Sequence, residues 1–95
     1  MSETTSTAER TVTVVNRKGL HARPSGMISR LAGEHDARII VSHGGHSADA
    51  RSIMDLLLLI APTGSDLKVK AEGPDARPAV DAICDLVSSG FGESQ

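Results

Sequence analysis

The sequence predicts an α+β fold in which helices cover one face of an antiparallel β-sheet. Segments that alternate apolar and polar residues, typical of half-buried strands, are interleaved with segments whose apolar residues recur at three- and four-residue spacing. Their order is β-α-β-β-α-β-α. Because each alternating strand has one apolar face, the helices should cover that face and leave the other in solvent. The expected architecture is a two-layer sandwich.

The first half of the chain provides three strands and one helix. The helix begins near Ala22, where Pro24 suits the first turn because it lacks a backbone N–H, and ends at Gly33 or Glu34. The pair Gly44-Gly45 marks a hairpin between the second and third strands. The strands are expected at residues 11–15, 37–41 and 46–50.

The second half provides two helices and the fourth strand, at residues 67–71. A short helix should run from Ser52 to Leu59, because a serine followed by an acid three residues later is an N-terminal pattern. Asp75 is the expected cap of the last helix, and Gly90 should end it. Its apolar stripe comprises Ala79, Val80, Ile83, Leu86 and Val87.

The composition indicates one small cytoplasmic domain. Residues 1–10 are expected to form a disordered tail, residues 11–92 the domain and residues 93–95 a second tail. Phe91 is the single aromatic residue and the formal net charge is −2, which argues against nucleic-acid binding. One cysteine, Cys84, favours a reducing compartment. The polar N-terminal stretch and the short apolar runs predict neither a signal peptide nor membrane insertion.

The segment Gly19-Leu20-His21-Ala22-Arg23-Pro24 is the expected site of chemistry. Histidine is a poor helix cap, and a local rule broken at a helix start suggests function. Unpaired backbone N–H groups and the helix dipole attract anions there, and the Arg23 guanidinium fits phosphate oxygens. The same positive field should keep His21 neutral and nucleophilic towards a phosphoryl group. No carboxylate within this segment would activate water, so the segment suits phosphoryl transfer rather than hydrolysis.

The motif Gly-Leu-His-Ala-Arg-Pro-Ser at 19–25 resembles the active-site signature of HPr, the phosphocarrier of the bacterial phosphotransferase system. The resemblance extends from about Thr11 to Gly92 and implies an open-faced sandwich of four antiparallel strands and three helices. It implies that His21 takes a phosphoryl group on Nδ1 from phospho-Enzyme I and passes it to an Enzyme IIA domain. Arg23 and the backbone N–H groups of Ala22 and Arg23 would hold the phosphate. The resemblance also implies a monomer without cofactors.

A second position of interest is Ser52, where many members of the family carry a serine phosphorylated by HPr kinase/phosphorylase. A phosphate at a helix start is well placed, but Ser52 is also a good cap, and Asp55 would repel the phosphate. The run Leu56–Ile60 is unusually apolar, so some of it should be exposed although much should be core. The expected docking residues for partners are Leu20, Pro24, Met54 and Leu57.

Two alternatives remain open at this stage. One is a nitrogen-type regulatory relay that uses the same His21 and Arg23 without moving sugar. The other is a ferredoxin-like sensor or metal chaperone, although a soft-metal chaperone would need a cysteine pair. His43 and His46 flank the hairpin turn, yet two histidines on a turn are usually polar surface, so no metal site is expected.

Overall fold

The computed structural model describes residues 6–93 as a four-stranded sheet with three helices on one face. This arrangement confirms the predicted α+β sandwich and the order of its elements. The strands are β1 (Thr7–Thr13), β2 (Arg38–His43), β3 (His46–Asp49) and β4 (Asp66–Glu72), and the helices are α1 (Ala22–Ala32), α2 (Ile53–Leu58) and α3 (Ala76–Ser88), with a 3₁₀ turn at Gly90–Gly92.

The sheet has the strand order β1-β4-β2-β3, and every neighbouring pair is antiparallel. The register places Ala8 opposite Ala71 and Val41 opposite Val69, so apolar residues of neighbouring strands share one face. On the other face Glu9 lies opposite Lys70. The alternation in the sequence therefore corresponds to one buried and one solvated face, as predicted.

The core lies between the sheet and the helices. Ile28 of α1, Leu56 of α2 and Ile83 of α3 are fully buried against it. Cys84 of α3 is also buried, as a small apolar residue next to Ile83 in the sequence. Phe91, just after α3, is buried in the same core.

The first strand was placed too late in the sequence. It begins at Thr7, so residues 7–10 belong to the sheet and not to a disordered tail. The reason is pairing: β1 follows β4 over the full length of that strand, from Thr7 opposite Glu72 to Thr13 opposite Asp66. Residues 14 and 15 lie beyond the sheet. The remainder of the predicted tail, residues 1–5, lies outside the described residues, as do residues 94–95.

The other boundaries differ less, and the differences have local causes. Strand β2 extends two residues beyond the prediction because its hairpin with β3 closes at the pair His43 and His46. Asp75 is the N-cap residue of α3, but its side chain makes no capping bond. Its carboxylate accepts instead from the backbone N–H of Asp36, at 2.7 Å, and joins the start of α3 to the segment before β2.

Candidate functional site

Helix α1 begins at Ala22, directly after His21, as predicted. His21 is the N-cap residue, with extended backbone angles and no side-chain capping bond. The first helical hydrogen bond runs from Ser25 N to His21 O, at 3.0 Å. Within residues 6–93 the N–H groups of Ala22 and Arg23 have no hydrogen-bond partner, and Pro24 has no N–H. Two donors of the first turn are thus free to bind an anion.

A glycine sets the approach to this helix. Gly19 has φ +69°, which favours glycine, and a Cβ built there would lie 2.5 Å from the carbonyl oxygen of Ala61. The next residue, Leu20, donates its N–H to the same carbonyl at 2.9 Å. The loop before α1 is therefore packed directly against the loop between α2 and β4, and this contact determines where His21 lies.

The His21 ring lies at the surface, where a partner can reach it. Its side chain is 34% exposed, and its Nε2 atom lies 2.9 Å from Oε2 of Glu93. Arg23 Nη1 donates to the same Oε2 at 3.0 Å and to the carbonyl oxygen of Phe91 at 3.2 Å. One carboxylate oxygen therefore contacts both residues that the motif singled out.

Asn16 contacts the Glu93 carboxylate from the buried side of the site. Its side chain is fully buried, and its Nδ2 atom donates to Glu93 Oε1 at 3.0 Å and to the Gly19 carbonyl at 2.8 Å. The Asn16 amide lowers the pKa of the Glu93 carboxyl below its usual range, with His21 and Arg23 adding to the effect. Partial burial works in the opposite direction. The balance leaves Glu93 ionised at neutral pH.

The hollow around the ring is mainly cationic. It is lined by Arg17, Lys18, His21, Arg23, Gly92 and Glu93. Among the described residues of this hollow, three permanent cations face one carboxylate, so an entering phosphoryl group meets a positive field. The geometry fits reversible binding of a small anion beside an accessible imidazole.

Asn16 and Glu93 were not found from the sequence. Asn16 follows the first strand in a polar stretch that resembles an ordinary turn, and no local pattern distinguishes it. Glu93 was assigned to a tail, although the only aromatic residue stands two positions before it, between two glycines. A lone aromatic residue between two glycines could have predicted a turn after α3 whose side chain is buried in the core.

Two of the expected docking residues are core residues. Leu20, in the loop before α1, and Pro24, in the first turn of α1, both have buried side chains. They offer little surface to a partner, so the expectation for them was wrong. Met54 is 68% exposed and Leu57 is half-buried, so these two remain available.

The apolar run of α2 is divided between core and surface. At least half of the run Leu56–Ile60 was expected to be core. Leu56 and Leu59 are buried and Leu57 is half-buried, whereas the other two residues are exposed. The exposed apolar side chains form what we call the α2 surface, which comprises Ile53, Met54, Leu58 and Ile60. This surface adjoins α1, since a Cβ built on Gly26 would lie 3.9 Å from Cδ1 of Ile53.

Ser52 has the capping role that its sequence context predicted. Its side chain accepts a hydrogen bond from the N–H of Asp55, at 3.1 Å, and α2 begins at the next residue. The preceding carbonyl, of Arg51, accepts from Ser29 Oγ at 2.7 Å, which ties this helix start to α1. Capping accounts for a serine here whether or not the residue is modified.

The remaining histidines lie elsewhere. His35 follows α1 and its Nδ1 atom lies 3.0 Å from the Leu31 carbonyl oxygen. His43 and His46 pair across the hairpin between β2 and β3. In the part of the chain that the structure describes, no three side chains of metal-binding type lie close enough together to hold an ion.

Comparison with known proteins decides the family. Residues 8–89 match the family model described as "PTS HPr component phosphorylation site". The chain belongs to the HPr family of phosphocarrier proteins. Phosphocarrier protein HPr of Cupriavidus necator is 38% identical over 87 residues, which cover 92% of this chain and 98% of that protein. Phosphocarrier protein NPr of Shewanella violacea is 42% identical over 86 residues, which cover 90% of this chain and 94% of that protein.

Solved HPr structures have the same fold. HPr-C-His from Thermoanaerobacter tengcongensis superposes with a TM-score of 0.88 at 35% identity, covering 93% of this chain and 99% of that one. An HPr dimer from the same organism gives 0.73, also at 35% identity, covering 86% and 94%. Members of this family carry phosphoryl groups within the phosphotransferase system and are not themselves catalysts. Membership of the HPr family rules out the alternative of a ferredoxin-like sensor. Among residues 6–93, no helix is both long and apolar enough to cross a bilayer.

Proposed function

We propose that this HPr-family protein carries a phosphoryl group on Nδ1 of His21. The group comes from phosphorylated Enzyme I and passes to a histidine of an Enzyme IIA domain. The observation that supports this most directly is the surface-accessible ring of His21, the N-cap residue of α1. It lies beside the Arg23 guanidinium and two N–H groups that have no partner among residues 6–93.

The chain's own groups suit each stage of the transfer. The N–H groups of Ala22 and Arg23 have no partner in the described part of the chain and can donate to phosphoryl oxygens that approach the helix start. Arg23 can offer its planar guanidinium to the same oxygens, since its side chain is half exposed. These groups can therefore bind the charge of the phosphoryl group without a metal or a cofactor. The proposed carrier acts in the cytoplasm and as a monomer.

Incubation with phosphoenolpyruvate and Enzyme I tests the proposal. The wild-type protein should gain one phosphate that is labile in acid and stable in alkali, and His21→Ala should gain none. His46→Ala is the matched control, because it removes an exposed histidine on the hairpin and should keep the full label. A wild-type protein that stays unlabelled, or a His21→Ala variant that is labelled, would refute the proposal. Sedimentation of the labelled and unlabelled forms tests the monomer.

The proposed docking surface consists of Met54 and Leu57, extended by the rest of the α2 surface. A patch of exposed aliphatic side chains next to a site of chemistry is typical of a protein interface. Transfer from Enzyme I should therefore show a raised KM in Met54→Ser, while chemical phosphorylation of His21 by a small phosphoryl donor should not change. An equal effect on both reactions would contradict the docking role.

A nitrogen-type regulatory relay is the second candidate. It is supported by the similarity to NPr proteins of Shewanella violacea and Escherichia coli, which are 42% and 35% identical to this chain. Both candidates use His21, so labelling by Enzyme I cannot separate them. The phosphorylated protein should be offered to a sugar-specific Enzyme IIA and to a nitrogen-type one in parallel. The acceptor that removes the phosphate faster identifies the branch.

Regulatory phosphorylation is proposed at Ser52. Its support is the position in the family and a hydroxyl at a helix start that is not fully buried. The exposed carboxylate of Asp55 opposes it by like-charge repulsion. An HPr kinase with ATP should leave a base-labile phosphate on the wild type and on Asp55→Asn, more rapidly on the variant, but not on Ser52→Ala. No label on any of the three would remove this proposal.

A further inference from the structure

We infer that Glu93 is a positioning residue for His21, on the basis of the function proposed above. By accepting a hydrogen bond from Nε2, its carboxylate selects the tautomer whose Nδ1 atom carries the attacking lone pair. The same carboxylate then faces the positive charge that the ring acquires when Nδ1 is phosphorylated.

The direction of the hydrogen bond follows from the chemistry of its two atoms. An ionised carboxylate can only accept, so at 2.9 Å the proton between them belongs to Nε2 of His21. The lowered pKa of Glu93 keeps that carboxylate ionised at neutral pH. A neutral imidazole with a proton on Nε2 has its free lone pair on Nδ1. Within residues 6–93, the ring makes this hydrogen bond alone, so Nδ1 remains open to a partner.

The carboxylate is held in place from several directions, unlike that of a mobile surface side chain. Asn16 donates to one oxygen and Arg23 to the other, and the Glu93 side chain is only 16% exposed. Asn16 also donates to the Gly19 carbonyl, two residues before His21. The same buried amide thus fixes both the carboxylate and the turn that carries the ring.

The backbone after α3 bends sharply to bring Glu93 to this place. Gly90, Phe91 and Gly92 all have positive φ, at 74°, 59° and 72°. This conformation is easy for glycine but costs an L-residue such as phenylalanine about 1–2 kcal/mol. Burial of the Phe91 ring in the core offsets that cost. A strained turn kept in place by its own anchor indicates that the position of the next residues matters.

The transfer step shows what the carboxylate contributes. The lone pair of Nδ1 attacks phosphorus in the donor's phosphohistidine, and the donor's P–N bond breaks with its electron pair returning to the donor ring. His21 then has phosphorus on Nδ1 and keeps its proton on Nε2, so its ring becomes cationic. Arg17, Lys18 and Arg23 line the same hollow and oppose that charge, while they favour the phosphoryl oxygens. Of the described residues that line the hollow, Glu93 is the one carboxylate.

Nitrogen NMR of protein labelled with ¹⁵N-histidine tests the inference directly. The wild-type His21 ring at neutral pH should be predominantly the Nε2–H tautomer. Glu93→Gln and Glu93→Ala should show a mixture or the Nδ1–H form, whereas Glu34→Gln, at an exposed carboxylate after α1, should match the wild type. The rate of labelling by Enzyme I should fall on the order of ten-fold in both Glu93 variants, and Glu93→Asp should restore part of both the rate and the tautomer preference.

A second measurement separates positioning from mere folding. In the phosphorylated protein, loss of the Nε2 proton should occur at lower pH in Glu93→Gln than in the wild type, because the facing negative charge is gone. The inference is overturned if wild type and Glu93→Gln share the same tautomer and the same titration of the phosphorylated ring. In that case the wild type could still be labelled by Enzyme I, so the proposed function would stand without the inference about Glu93. A wild type with the expected tautomer that gains no label would instead refute the proposed function.

Discussion

The carboxylate of Glu93 lies 2.9 Å from Nε2 of His21, and 72 positions of sequence separate the two residues. Arg23 donates to the same carboxylate oxygen at 3.0 Å, and the buried Asn16 amide donates to the other oxygen at 3.0 Å. One carboxylate therefore connects the histidine ring to a permanent cation and to a buried amide. Under the proposed function, it faces the positive charge that the ring acquires when it carries the phosphoryl group.

The pH dependence of stability should reveal this carboxylate. Its pKa is lowered from an ordinary value of 4.5, so its contribution to stability is complete above that pH and is lost as the pH falls through the lowered pKa. Urea unfolding of the wild type and of Glu93→Gln should therefore show a difference in the free energy of unfolding at pH 7 that shrinks below about pH 4.5. A difference that stays constant down to pH 3 would contradict the lowered pKa.

The sequence predicted what local rules determine. The order of elements follows from alternation and helical spacing, and the start of α1 just after His21 follows from Gly19 and Pro24. These features need no knowledge of distant residues. The ends of β1 depend instead on its pairing with β4, which is a tertiary contact. Its start was predicted four residues too late and its end two residues too late.

The missed parts of the site depend on tertiary contacts in the same way. Glu93 reaches His21 because Phe91 is buried and the chain turns back, and periodicity contains no information about either. Leu20 and Pro24 show the converse error. They neighbour the reactive histidine in sequence, but in space they point into the core.

Arg23 should matter through its shape as well as its charge. Arg23→Lys keeps a cation but loses the planar guanidinium, so the rate of labelling by Enzyme I should fall about ten-fold, and Arg23→Gln should lower it further. Arg17→Lys at the rim of the hollow is the matched control and should change the rate less than two-fold. Equal rates for wild type and Arg23→Lys would mean that the guanidinium acts only as a point charge.

Gly19 should tolerate no side chain. Gly19→Ala adds a Cβ that meets the Ala61 carbonyl oxygen in addition to the strain of positive φ, so we expect a loss of about 3 kcal/mol or more. Gly64→Ala is the matched control, because Gly64 also has positive φ but has nothing within 4 Å of a built Cβ. That variant should lose only about 1–2 kcal/mol. Similar losses measured by urea unfolding would show that the close approach at Gly19 is unimportant.

Ser52 should contribute to stability through capping alone. Ser52→Ala removes the acceptor for the Asp55 N–H and should cost about 1 kcal/mol. Ser52→Asp supplies another capping acceptor, so its free energy of unfolding should stay within about 0.5 kcal/mol of the wild type. If Ser52→Asp is as unstable as Ser52→Ala, the bond seen at this helix start contributes nothing.

Replacing Ile60 with glycine should increase the free energy of unfolding and weaken the interaction with Enzyme I. It is a β-branched residue at φ +47° and is 77% exposed, so it bears backbone strain without the burial that would compensate it. Ile60→Gly should relieve about 1–2 kcal/mol of strain and lose about half of that gain to the entropy of the unfolded chain. Ile60→Ala keeps a Cβ and therefore the strain, so its stability should stay within about 0.5 kcal/mol of the wild type.

The kinetics of phosphoryl transfer to the same two variants test whether the Ile60 side chain takes part in docking. Ile60 precedes Ala61, whose carbonyl binds the loop before His21, and it belongs to the α2 surface proposed for docking. Both variants remove the aliphatic side chain, so both should raise the KM for Enzyme I by a similar factor although only Ile60→Gly gains stability. Unchanged kinetics in both would exclude Ile60 from the docking surface, and equal stabilisation by alanine and glycine would place the cost in the exposed side chain instead of the backbone.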